Sequence, residues 1–185
     1  MQTNSKWEIP KEFYSKWDTV EPNYLSLVLT QSEKFLSELV RAGEQISEKG
    51  YKILTINLSV IGGIFLYFIT GKQSPEITVS TILAGLSSVA SIGFLVKPLW
   101  FYNTMVIGSS PNKLLRKEYL RDVKTKESQF KSLTISECYN YQERIDLNNK
   151  INNSRAHQIN ISTLFLIGGI GISIIGGFWC SYFFT

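Results

Sequence analysis

The imidazole and thiol groups that could bind a metal or act as base and nucleophile amount to one histidine, His157, and two cysteines, Cys138 and Cys180, in 185 residues. A zinc centre takes three or four clustered ligands, and no close spacing of Cys, His and carboxylate supplies them from one chain. His157 is of a type that titrates near neutral pH, yet nothing near it in sequence makes a catalytic partner. There is no glycine-rich phosphate loop, no GxSxG turn and no paired-carboxylate motif. The sequence therefore names no catalytic residue, no cofactor site and no metal site, and the expectation is a protein that is not an enzyme.

The remaining polar side chains of interest lie in or beside apolar stretches. A near-zero mean hydropathy conceals three such blocks, while all but one of the 15 acids and most of the 19 Lys and Arg residues fall in 1–50 and 110–160. Tyr51 to Thr70 is 20 residues with only Lys52 charged. Ile77 to Val96 is another 20 with no charge, closed by Lys97-Pro98 and the aromatic group Trp100, Phe101 and Tyr102. Ile161 to Phe184 is the third, ending in an aromatic run that contains Trp179. About 20 helical residues at 1.5 Å each cross a hydrocarbon core of about 30 Å, so all three blocks are predicted to span a membrane. Gly71 to Glu76, with Gly and Pro as punctuation, makes the first two blocks a helical hairpin.

The first 50 residues carry 14 charges and no apolar run, so no signal peptide is expected. Seven Lys and Arg residues lie at or before Lys52, eleven in 97–160 and one, Lys72, in the hairpin turn. The positive-inside rule then places the N-terminus and 97–160 in the cytoplasm and the extreme C-terminus outside. Cys138 and Cys180 would face opposite sides, which leaves no intramolecular disulfide. Net charge +4 and a pI near 9.0 put the basic excess beside membrane segments. No nucleic-acid fold signature accompanies it, so the lipid bilayer and not nucleic acid is the expected partner.

Outside the membrane remain roughly 110 residues in two pieces, small for independent cores. From Tyr24 the apolar positions Leu25, Val28, Leu29, Phe35, Leu36, Leu39, Ile46 and Ile53 recur at three and four, predicting a helix that starts near Pro22 and runs into the first span. Gly43 and Gly50 allow a bend in it. Residues 1–22, rich in aromatics, either lie along the membrane interface or dock on cytoplasmic helices. Between Asn112 and Ile167 neither Gly nor Pro interrupts 56 residues. One helix is predicted from Pro111 to about Lys126. A second is predicted from the capping-box spacing at Thr134-Ile135-Ser136-Glu137 into the third span, close to 50 residues or about 75 Å. Asn148 and Asn152 fall on its inward stripe, where Asn sets register and oligomer number.

The fold class is thus all-α, an integral membrane protein with three transmembrane helices and long cytoplasmic extensions. Its regions are 1–50, a hairpin over 51–100 with spans 51–70 and 77–96, a cytoplasmic helical region 101–160, and the third transmembrane helix 161–185. Small residues at intervals of four, Ser59 and Gly63, then Ser80, Ala84 and Ser88, then Gly169, Ser173 and Gly177, permit close helix contact. They serve packing within one chain or self-association. Asn57, with Thr55, is the strongest intramembrane polar group, either a structural hydrogen bond or a pore-lining group. Lys97, Trp100, Arg155, His157 and Trp179 read as interfacial anchors.

The stretch Tyr139-Asn140-Tyr141-Gln142-Glu143-Arg144-Ile145-Asp146-Leu147-Asn148-Asn149-Lys150-Ile151-Asn152-Asn153, followed by a Gly/Ile-rich span, resembles small bacterial membrane proteins found among antiphage effectors. These are the multi-spanning effectors of CBASS-type and Pycsar-type systems and the related SLATT-domain proteins. The resemblance implies a homo-oligomer in the inner membrane that breaches it in response to a cytoplasmic sensor protein or a cyclic-nucleotide signal. The expected function is accordingly a self-associating, membrane-permeabilising effector. The alternative is a membrane-anchored adaptor or structural subunit that tethers a cytoplasmic partner. A transporter or lipid-modifying enzyme ranks last, because the spans lack the charged groups that couple ions or do chemistry.

Overall fold

The computed structural model describes residue 16 and residues 19–70, 74–100 and 126–184. Among these residues three long helices form the fold: α1 Pro22–Thr70, α2 Pro75–Trp100 and α3 Lys126–Phe184. All three are long and apolar enough to cross a membrane. Pro22 and Pro75 each open their helix, where a missing N–H costs nothing and φ is already helical. The aromatic segment up to Trp17 and the helix anticipated from Pro111 to about Lys126 lie outside the described residues.

Two compact units are distinguished. One draws its described helical residues from 22–42 and 126–150, and the other from 43–70, 75–100 and 151–184. Both α1 and α3 contribute to each unit. In the first, Leu36, Tyr141 and Ile145 form a buried cluster, flanked by Leu29, Phe35 and Leu39. In the second, Ile53, Leu95, Ile159 and Leu166 do so, with Ile46, Leu54 and Leu99 packed against them.

Buried positions follow one rhythm. On α3 Thr134, Cys138, Tyr141, Ile145, Asn148, Asn152, Arg155, Ile159, Ser162, Leu166, Gly169 and Ser173 alternate four and three apart, with Glu137 buried beside Cys138. On α1 the buried positions are Leu25, Leu36, Gly43, Gly50, Ile53 and Asn57, of which Leu36, Gly43, Gly50 and Asn57 stand seven apart. On α2 the set is Ser88, Ser91, Leu95 and Pro98. This is the heptad spacing of knobs-into-holes packing. The seam is apolar in parts and small or polar in others.

One local expectation changes. The capping-box residues do not start a helix, since α3 already begins at Lys126. An N-cap hydroxyl must face free N–H groups on non-helical backbone. Thr134 instead lies in a helix interior, where its Oγ1 donates back to the Phe130 carbonyl at 2.9 Å. Gly43 and Gly50 do not break α1. They are places of close approach: an added Cβ would lie 2.9 Å from Asn152 Oδ1 at Gly43 and 2.9 Å from Leu99 Cδ2 at Gly50.

Gly169 is tighter still, because an added Cβ would overlap the Ser87 side chain. Gly62 has nothing within 4 Å of that position. Replacing a helical glycine by alanine stabilises by about 1 kcal/mol where space allows, whereas overpacking costs about 1–3 kcal/mol. Gly62→Ala is therefore expected to raise the midpoint of detergent unfolding and Gly169→Ala to lower it. Opposite signs in the same helical protein check the close contact between α2 and α3.

Candidate functional site

The apolar segments bury few of their own residues: 11, 17 and 22% of the most apolar window of α1, α2 and α3 respectively. Side chains such as Phe65, Leu66, Leu86, Leu164, Ile175 and Phe178 point outward. The inward face is where polarity collects. Asn57, Ser88, Ser91 and Ser162 are all 0% exposed.

Asn57, Ser91 and Ser162 come from three different helices and meet. Asn57 Nδ2 donates to the Ile53 carbonyl at 3.0 Å and to Ser91 Oγ at 2.9 Å. Ser91 Oγ donates to the Ser162 carbonyl at 2.9 Å. Its proton is then committed, so the 2.8 Å contact between the two hydroxyls must be Ser162 donating to Ser91. Ser91 Oγ thus accepts from both other helices and donates to one of them. Asn57 Oδ1 and Ser88 Oγ, equally buried, have no hydrogen-bond partner among the described residues.

A second polar level lies at Arg155, which is 5% exposed. Its Nε donates to the Pro98 carbonyl at 2.9 Å, and a terminal nitrogen donates to Ser47 Oγ. A cation at the last turn of α2 also complements the negative end of that helix's dipole. Lys97, Trp100, His157 and Trp179 are exposed. Arg155 is thus placed apart from the other residues read as interfacial anchors, inside the packing of α1, α2 and α3. Lys49 Nζ donates to Asn160 Oδ1 at 3.1 Å nearby on the exposed side.

The small residues divide. Ser80 Oγ donates to the Ser173 carbonyl at 2.8 Å, and Gly169 meets Ser87, so α2 and α3 touch along their stripes. Gly63, Ser80, Ala84 and Ser173 border an open groove of about 350 Å³ that Tyr67 also lines. Gly177 and Ser80 border another of about 290 Å³. Ser59 is exposed, and a Cβ on Gly63 would meet nothing within 4 Å. Thr55 is separated from Asn57: it is exposed and returns its hydroxyl proton to the Tyr51 carbonyl at 3.0 Å. Ser59, Thr70, Thr81 and Thr163 do the same to the carbonyl four residues back. Such back-bonding lets a hydroxyl face an apolar surround.

Asn148 and Asn152 are both buried on α3. Tyr141, at the apolar cluster of the first unit, donates to Glu33 Oε1 at 3.1 Å. Cys138 is buried in that unit, and burial followed by the neighbouring Glu137 charge pushes its thiol up from 9.0 to about 11. Ser47, Ser91 and Ser162 are the residues that sequence reasoning did not single out. Their signal was the four-three spacing, read through polar as well as apolar positions.

No group of three or more His, Cys, Asp or Glu that could hold a metal occurs among the described residues. These features define an all-helical protein with three helices of membrane-spanning length around a polar seam. Comparison with family models, curated proteins and solved structures finds no match.

Two outcomes are expected. Ser91→Ala removes an acceptor used by two other helices and is expected to cost about 1–2 kcal/mol in detergent unfolding, the range for hydrogen bonds between membrane helices. Ser59→Ala, which touches only its own helix, should be near neutral. The Cys138 thiol has a folded pKa above its unfolded one, so its stability contribution is complete below pH 9 and is lost as pH rises towards 11. Wild-type protein should lose stability over that window relative to Cys138→Ala, and maleimide at neutral pH should label Cys138 only after denaturation.

Proposed function

We propose that the protein is a non-enzymatic, multi-pass inner-membrane protein that self-associates and acts as a membrane-permeabilising effector in antiphage defence. The N-terminus and 97–160 lie in the cytoplasm and the C-terminus outside, following the distribution of Lys and Arg. The observation that carries the reading is the Asn57, Ser91 and Ser162 cluster within helices of membrane-spanning length. Polar side chains at such depth are costly, and they are kept where a membrane protein uses them. Self-association is supported by the open side of α1, where Ser59 and Gly63 leave room for a second helix to approach. The defence setting, with a cytoplasmic sensor or cyclic-nucleotide signal upstream, is supported by the resemblance of residues 139–153.

Expression from a tight promoter in bacteria, with and without the neighbouring genes, tests this through a membrane-potential dye. Depolarisation that follows expression and weakens in Asn57→Leu is the expected result. An intact potential in every condition, with the protein in the membrane fraction and monomeric in detergent, would overturn it. The weight would then move to an adaptor that tethers a cytoplasmic partner.

A further inference from the structure

The two polar levels of the seam do not touch. From Arg155 towards Asn57, α1 presents Ser47, Gly50, Ile53 and Asn57, α2 presents Pro98, Leu95 and Ser91, and α3 presents Arg155, Ile159 and Ser162. On α1 and α3 the side chains read polar, then apolar, then polar, and on α2 the level of Arg155 is the Pro98 backbone carbonyl. Between the two levels lie Ile53, Leu95 and Ile159, at 6, 0 and 1% exposure, members of a packed cluster that Leu166, beyond Ser162, also joins. This apolar layer is sealed on the α1 side, where a Cβ on Gly50 would lie 2.9 Å from Leu99 Cδ2 and 3.1 Å from Ile159 Cδ1. One helical turn, about 5 Å, of apolar surface thus separates the Arg155 level from the hydroxyl cluster.

A water molecule persists in a protein interior only with two to four polar partners, and an apolar constriction excludes it. On the far side of the layer Asn57 Oδ1 and Ser88 Oγ, fully buried, retain hydrogen-bonding capacity that no described residue uses. Water that crossed the layer would find partners there. Nothing larger would follow, since the hydroxyls of Ser91 and Ser162 meet directly at 2.8 Å.

We propose that Ile53, Leu95 and Ile159 form a hydrophobic gate in the seam that keeps water, and protons carried along it, from joining its two polar levels. This rests on the permeabilising reading and assigns the closed state of that activity to three named side chains. Purified full-length protein in liposomes tests it, with an internal pH dye and a potassium gradient opened by valinomycin to drive proton entry. Wild type and Leu95→Met, which conserves volume, should be equally tight. Leu95→Ser should speed proton entry by about tenfold through wetting of the layer, and adding Asn57→Leu should reverse the effect.

The gate is overturned if Leu95→Ser and Ile159→Ser, with wild-type helicity and elution, are no leakier than wild type. It is also overturned if the leak survives Asn57→Leu or passes carboxyfluorescein, because the bundle has then merely loosened. Wild-type depolarisation of cells with tight Leu95→Ser liposomes refutes the gate alone. A leak that depends on Asn57, without any wild-type depolarisation, supports the gate and refutes the effector.

Discussion

An amide side chain enclosed by apolar helices has to find its hydrogen bonds inside the protein, and that requirement organises the second unit. Asn57 meets it with its amide nitrogen, which donates once to its own helix and once to Ser91, while its Oδ1 has no partner among the described residues. Ser91 accepts through a lone pair and sends its own proton to the Ser162 carbonyl. Rotating any one of the three helices by a residue would break this chain and leave several polar atoms in an apolar surround, each at about 1–3 kcal/mol. Apolar packing alone is less particular about register. The hydroxyl cluster therefore sets which faces of α1, α2 and α3 meet, and the glycine contacts at Gly50 and Gly169 set how closely.

The membrane-length apolar segments of the second unit are apolar outside and partly polar within. Hydroxyls that point outward return their protons to carbonyls of their own helix, as Thr55 and Ser59 do. Of those that point inward, Ser80, Ser91 and Ser162 bond across helices, Ser173 returns its proton to the Ile170 carbonyl of its own helix, and Ser88 Oγ has no partner among the described residues. Arg155 extends the bonding across helices to a charge, with its guanidinium held by a carbonyl on α2 and a hydroxyl on α1.

The first unit uses the same heptad spacing. Leu36, Tyr141 and Ile145 pack in it beside buried Thr134, Glu137 and Asn148, while Glu38, Arg41 and Glu143 are exposed. α1 and α3 each carry both patterns without a helix break, because neither spacing nor backbone hydrogen bonding depends on which chemistry the seam presents.

The three apolar blocks, the start of α1 at Pro22 and the unbroken helix leading into the third block were all legible in the residues. Each depends on local properties: side-chain hydropathy, the position of Pro and the absence of Gly and Pro. The start of α3 was not legible, because Thr134-Ile135-Ser136-Glu137 suits a cap or a helix interior equally until its hydroxyl is seen bonding backward. The polar cluster was half legible, since Asn57 is conspicuous in its block whereas Ser91 and Ser162 resemble every other small residue around them. Only packing decided that Arg155 lies inside while Lys97 and His157 lie outside, and that Thr55 parts company with Asn57. The physical reason is that hydropathy belongs to a residue but facing belongs to a pair of helices. A seam made of Ser, Gly and Asn has no local signature that separates it from the small residues on the opposite face.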